Sequence, residues 1–171
     1  MVQPANRELE RLVIRDTLTP LYNRRHFVNA LEERLSRLER HDAPCVLVFV
    51  DVNAMKQIND SFGHTAGDAA LVHIARLIGA SIRSNDVAAR VGGDEFALLL
   101  DGLDEEGAAL KTKQLEKLIS ETDCYCGDNR LPLSASFGWT SLRRGDTDFA
   151  ALARADMAMY ESKRRFSTEF E

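Results

Sequence analysis

"RVGGDEFALLL", residues 90–100, sets two glycines and two adjacent carboxylates between a short extended run and a strongly apolar one. Gly92 and Gly93 are the residues best able to enter positive φ in a tight turn, so the stretch reads as a hairpin joining "DVAARV" (86–91) to "EFALLLDG" (95–102). A hairpin excludes an all-parallel sheet. It also carries Asp94 and Glu95 to a turn, where acidic residues ordinarily face solvent, so the tip needs a second feature before it means anything chemical.

Upstream, "CVLVFVDVN" (45–53) is a continuous β-branched and apolar run, the pattern of a central strand covered on both faces, and it ends in Asp51. "AMKQINDSFGH" (54–64) follows as a short helix stopped by Gly63. In "TAGDAALVHIARLIGASIRSND" (65–86), Leu71, Ile74, Ala75, Ile78 and Ile82 share one helical face. Earlier still, "NRRHFVNALEERLSRLER" (23–40) repeats Phe27, Leu31, Leu35 and Leu38 along a stripe, with Asn23 as N-cap. "NRELERLVIRDTLTP" (6–20) begins as an amphipathic helix through Leu9, Leu12 and Val13 and breaks before Pro20. Downstream, residues 104–123 read as a helix, "LPLSASFGWTSL" (131–142) as a strand and 147–165 as a last helix. The expected class is α/β: a mixed, mostly antiparallel sheet of about five strands flanked by helices.

The 171 residues, 44% hydrophobic and 29% charged, suffice for one domain with a sizeable core. A net charge of -5 supplies no general attraction to nucleic acid or anionic lipid, so polymeric DNA or RNA is not an expected partner. No apolar run approaches the roughly 20 residues of a membrane span, and the opening "MVQPANRELE" lacks the order of a signal peptide. A cytoplasmic segment with no membrane contact is expected. Cys45, Cys124 and Cys126 read as reduced thiols, with "DCYCGD" (123–128) a loop.

If the strand ending at Asp51 lies beside the hairpin, Asp51, Asp94 and Glu95 converge on one edge. Three carboxylates repel one another and are tolerable together mainly when a cation compensates them. An all-oxygen set favours Mg²⁺ or Mn²⁺ over zinc, and such an ion on few carboxylates usually completes its shell with phosphate. The hairpin tip therefore reads as a metal platform for a nucleoside triphosphate.

Five islands then stand in order: "DTLTPLYNRR" (16–25), "DVNAMKQINDSFGHTAGD" (51–68), "RSND" (83–86), "RVGGDEF" (90–96) and "ADMAMYESK" (155–163). From about Asp16 to Lys163 the chain resembles the GGDEF-domain diguanylate cyclases. The resemblance implies a palm-like nucleotidyl cyclase fold and condensation of two GTP into cyclic di-GMP with release of two pyrophosphates. It implies that Asp51 and the Val52 carbonyl bind metal with Asp94 and Glu95, two Mg²⁺ (or Mn²⁺) ions per site. Asp94, Glu95 and Lys56 would be catalytic. Asp94 occupies the position of a suggested general base, although metal coordination would make it a poorer one.

By the same likeness Asn59 and Asp68 read guanine, the carboxylate accepting from donors that adenine lacks. Lys56 and Lys163 hold the triphosphate, and Gly92 and Gly93 let substrate approach the backbone. Arg83 and Asp86 stand at the family's RxxD inhibitory site, where product would bind. Activity would need a homodimer, because each 3′-hydroxyl attacks the other nucleotide's α-phosphate. Residues 1–15 would be the end of a signalling helix from an upstream sensor and 16–171 the cyclase domain. Three positions depart from the family pattern: Asn53 for a frequent Asp, Pro20 for a frequent Gly, and Ser167 where a phosphate-binding arginine usually stands. The alternative is a non-catalytic GTP or cyclic di-GMP binding regulatory module.

Overall fold

A computed structural model describes residues 4–169. In chain order the elements are α1 (Pro4–Ile14), α2 (Arg24–His41), β1 (Cys45–Val52), α3 (Met55–Phe62), α4 (His64–Ser81), β2 (Val87–Arg90), β3 (Glu95–Asp101), α5 (Glu105–Glu121), β4 (Cys124–Cys126), β5 (Asn129–Leu131), β6 (Ala135–Ser141) and α6 (Asp148–Glu169). The N-cap of α2 is Asn23, as its position predicts: its side chain accepts from the His26 N–H, and the helix runs one residue past Arg40. The side chain of Leu12, one of the apolar positions expected on α1, and Ser167 on α6 lie outside the described residues.

The central sheet has four strands, not about five, in the order β2-β3-β1-β6, and every named pairing in it is antiparallel. The mixed character expected of the sheet survives as one isolated parallel bridge, Tyr22 to Ala89. Because β3 lies between β1 and β2, and β1 between β3 and β6, the chain makes two interlocked β-α-β units with a strand inserted in each, the palm-like arrangement. β1 is thus central and nearly wholly buried, which accounts for its continuous apolar run.

Alternation along the strands sorts two cores. Val46, Val48, Val50 and Val52 of β1 with Phe96, Leu98 and Leu100 of β3 face α3, α4 and α5. Leu47 with Ala97 and Leu99 faces α2 and α6. By this period-two rule Asp51 and Glu95 belong to the α2/α6 face.

Two expectations need correction. "DCYCGD" is not a loop: Cys124–Cys126 pairs with Asn129–Leu131 in a separate two-stranded hairpin turned by Gly127 at φ 60°. The run 131–142 is accordingly split, Leu131 ending one strand and Ala135 beginning the next. Pro132, lacking an N–H, falls in the break.

α6 sits against β6 with unusual closeness. A Cβ on Gly138 would stand 1.9 Å from the backbone nitrogen of Met159 and 2.3 Å from its Cα, so only hydrogen fits there. Where α6 begins, the Arg154 guanidinium forks onto Asp146 at 2.8 and 2.7 Å and also donates to the Ser141 carbonyl and the Thr140 hydroxyl. The Arg154 hydrogen bonds hold the Asp146 carboxyl below its ordinary value, against a smaller upward push from burial.

Gly138→Ala is expected to destabilise the fold by about 3 kcal/mol or more in urea titration, since backbone cannot yield as a side-chain tip does. Asp146→Asn is expected to cost about 1.5–3 kcal/mol at neutral pH. A depressed folded-state value gives stability that is present above the unfolded carboxylate value and lost as pH falls through the folded one. The gap between wild type and variant should therefore close on acidification below the ordinary carboxylate range, and a gap constant with pH would contradict the assignment.

Candidate functional site

The end of β1 meets three things at once. In the ladders Asp51 stands opposite Glu95 of β3 on one side and Ser136 of β6 on the other. The Val52 N–H donates to the Asp94 carbonyl at 3.0 Å, which ties the hairpin tip to the strand exit. Asn53 is 2% exposed; its N–H and side-chain amide donate to the Ser134 carbonyl and hydroxyl, while its Oδ1 accepts from the Ser136 hydroxyl. The Asn53 side chain is thus engaged through both its amide nitrogen and its oxygen in fastening β6 to β1.

After Asn53 the chain reverses through Ala54, held at φ 58°, and starts α3 with no side-chain cap. A left-handed alanine costs about 1–2 kcal/mol, a strain concentrated at the strand-to-helix turn beside Asp51.

On the α3/α4 side lies a cavity of about 420 Å³ lined by Lys56, Asn59, His64, Asp68, Gly93 and Asp94 together with apolar Met55 and Leu71. The helices close on each other where Asn59 meets Gly67: a Cβ there would sit 1.9 Å from the Asn59 Oδ1. Four predicted nucleotide-contacting residues, Lys56, Asn59, Asp68 and Gly93, therefore share one cavity with Asp94. Sequence reasoning missed His64 in this wall, although it falls inside the quoted 51–68 island.

On the α6 side stand the carboxylates. Asp51 is 7% exposed, and its Oδ2 accepts from the Lys163 ammonium at 2.5 Å. Its Oδ1 is buried with no hydrogen-bond partner. Burial pushes the Asp51 carboxyl up, Lys163 pulls it down, and Asp94 adds a smaller upward push. Glu95 is also raised, by burial first and then by the charges of Asp51, Asp94 and Asp156. Asp156 of α6 was not singled out from the sequence; its like charge on Glu95 is the signal, and no reading of spacing reveals it.

Asp94 joins the two halves: it lines the α3/α4 cavity and lies within electrostatic reach of both Asp51 and Glu95. Among the described residues no three His, Cys, Asp or Glu side chains form a ready-made metal-holding group, although Asp51, Asp94 and Glu95 lie within electrostatic reach of one another. The donor set still fits a hard cation. An orphaned, buried carboxylate oxygen on Asp51 beside Glu95 is an oxygen ligand awaiting a positive charge.

The glycines differ from expectation. Neither Gly92 nor Gly93 has positive φ. At Gly92 a Cβ would stand 2.9 Å from the Glu95 carboxylate tip and 3.3 Å from its Cβ, so a side chain there would press on Glu95, whereas Gly93 faces open space at the cavity. The turn is held by Arg90, which donates to the Gly93 carbonyl at 3.1 and 2.8 Å. Its guanidinium also reaches Asp16 at 3.4 Å, whose carboxylate caps the backbone of Leu18 and Thr19. Arg83 and Asp86 lie apart from this site. The buried Asp86 carboxylate accepts from the backbone of Arg83 and of Asp101, while the exposed Arg83 donates to the Asp101 carbonyl.

Comparison with known proteins agrees with this fold. The family described as "Diguanylate cyclase, GGDEF domain" matches residues 13–168. The bifunctional diguanylate cyclase/cyclic di-GMP phosphodiesterase MucR of Pseudomonas aeruginosa is 37% identical over 161 residues, which are 93% of this chain and 23% of MucR. The diguanylate cyclase SiaD of P. aeruginosa, solved in complex with its activator SiaC, is similar with a TM-score of 0.87 at 37% identity, over 94% of this chain and 62% of that one. The coiled coil and GGDEF domain of DgcB from Caulobacter crescentus, solved with c-di-GMP, gives a TM-score of 0.89 at 26% identity, covering 94% and 85%. The chain spans less than half the length of the curated relatives it matches. A family match over most of the sequence, relatives of that family at 37% identity and a shared palm-like fold place this chain in the GGDEF-domain diguanylate cyclase family.

Proposed function

We propose that this chain condenses two molecules of GTP into cyclic di-GMP, working as a dimer of facing domains. The observation that carries the reading is the pairing of Asp51 with Glu95 at the end of the sheet, joined through Asp94 to a cavity bearing Asn59 and Asp68. Asn59 and Asp68 would bind the guanine edge, the exposed carboxylate accepting from its N1 and N2 donors. The uncapped start of α3 offers free backbone N–H groups to phosphate, and Lys56 in the cavity wall adds a positive charge. Gly93 leaves room for the nucleotide to cross from the cavity to the carboxylates.

Asp51, Glu95, the Val52 carbonyl and Asp94 would hold divalent metal, Mg²⁺ or Mn²⁺. When bound, such ions lower the pKa of an attacking hydroxyl and neutralise charge building on phosphate. The protein's own contribution is orientation. β1 and β3 fix Asp51 and Glu95 side by side, and the Val52–Asp94 hydrogen bond keeps the tip in place. Asp94, close to two other carboxylates, is better suited to ligation than to accepting the 3′-hydroxyl proton once metal is present. A single domain holds one nucleotide and cannot supply the second, so attack requires a partner domain.

Product inhibition through Arg83 is a further part of this proposal. Arg83 supplies an exposed guanidinium suited to the O6 and N7 edge of guanine. Asp86 serves first as a backbone cap, so its share in product binding would be secondary. The domain division at residue 15, an upstream sensor and a cytoplasmic setting belong to the same proposal. No described helix is long and apolar enough to cross a membrane.

Incubation with GTP and Mg²⁺ followed by nucleotide separation is expected to yield cyclic di-GMP at a rate per domain that falls on dilution. Glu95→Gln and Asp51→Asn should each lower that rate by about a hundredfold or more while GTP still occupies the cavity. Binding without turnover at high protein concentration would instead establish the regulatory-module alternative. Arg83→Ala should leave the initial rate intact and abolish slowing by added cyclic di-GMP; unchanged slowing would remove Arg83 from the inhibitory role.

A further inference from the structure

Lys163 and Asp51 have separate tasks in the proposed reaction, one on phosphate and the other on metal, yet here the two side chains bind each other. The Lys163 Nζ lies 2.5 Å from the Asp51 Oδ2, and the second oxygen of that carboxylate is buried and unpartnered. The two residues differ in freedom. Asp51 is fixed in the central strand with its side chain 9% exposed, whereas the Lys163 side chain is 41% exposed on a long flexible stem. The helix that carries Lys163 is held to β6 by the close approach at Gly138 and by the Arg154 hydrogen bonds to the Thr140 hydroxyl and the Ser141 carbonyl. Only the lysine side chain is free to leave.

A buried carboxylate left without a counter-charge is strongly unfavourable, and an ammonium on Asp51 Oδ2 strongly repels a divalent ion brought to Oδ1 of the same carboxylate. We propose that Lys163 is an internal cation that occupies Asp51 until nucleotide arrives, so that metal and nucleotide enter the site together. This rests on the reading of Asp51 as a metal ligand. A bound triphosphate would offer the ammonium anionic oxygens in its place, and as the Lys163 side chain turned to them the Asp51 carboxylate would be left free to hold the accompanying metal. Asp51 is thereby compensated throughout. Metal alone must displace the lysine with nothing to receive it, so it binds poorly, and by reciprocity metal and nucleotide strengthen each other's binding.

The exchange makes a demand that neither a purely structural lysine nor a purely phosphate-binding one makes: removing its charge must move two affinities in opposite directions. Mn²⁺ without nucleotide, titrated by electron paramagnetic resonance, is expected to bind Lys163→Met about fivefold tighter or more than wild type. 3′-Deoxy-GTP, which cannot react, should bind the same variant more weakly by calorimetry. Mn²⁺ should also raise the melting temperature of the variant more than that of the wild type. Circular dichroism checks the fold, and Lys163→Gln repeats the titration should Lys163→Met not fold. Mn²⁺ affinity in a folded variant equal to or below wild type would overturn the proposal. Adding Asp51→Asn to either charge-removing variant separates the two levels. Loss of Mn²⁺ binding in the double variant leaves Asp51 as the ligand and the single variant to decide the exchange, whereas binding that persists refutes the ligand reading and the exchange with it.

Discussion

A buried carboxylate, Asp51, held beside a half-buried one, Glu95, at the end of an apolar sheet is the constraint around which this domain is organised. The antiparallel register that pairs Val50 with Phe96 necessarily places Asp51 against Glu95, and burial with like charge drives both carboxyls upward. Nothing in the packing relieves this from within the strands. Relief comes from a cation carried by a different element, Lys163 of α6, whose helix is brought to the sheet by a glycine that leaves no room for a methyl group. The electrostatics of the site thus depend on a backbone contact two residues along β6 from Ser136 and one helical turn before Lys163.

The remaining structure serves to hold that end of the sheet still. Asn53 and Ser136 lock β1 to β6 below the carboxylates, and Arg90 braces the hairpin tip by binding the Gly93 carbonyl while reaching back to Asp16. Asp16 in turn caps the segment that follows α1, so that segment and the signature hairpin share one hydrogen-bonded network. The α3/α4 cavity lies on the opposite face of the sheet from Lys163. Asp94, at the tip between the faces, is the residue that can couple events in one to charge in the other.

Rigid and movable parts are separated accordingly. Strand ends, helix caps and the Arg154 fork fix the carboxylates and the helix axes, whereas the groups assigned to contact phosphate, Lys56 and Lys163, are long side chains with substantial exposure. Such a division suits a reaction in which charged substrate and metal replace an existing ion pair without rearrangement of the fold.

The sequence by itself determined the helices, the strands other than the β4–β5 hairpin, and half of the residues that line the cavity. Helical and strand periods follow from local burial: the continuous run of β1, the N-cap at Asn23 and the stop at Gly63 each appear where their residues dictate. Asn59, Asp68 and Lys56 were legible because they sit within one island of sequence on two consecutive helices. Only the tertiary structure decided what depends on contacts between distant segments: the count of four central strands, the need for space rather than positive φ at Gly92, the commitment of Asp86 to backbone, and the Lys163–Asp51 pair across 112 positions of chain. Periodicity reports which way a side chain faces along its own element. It carries no information on which charge from another element will be waiting there, because that is set by packing distance and desolvation, which exist only once the sheet and helices have closed.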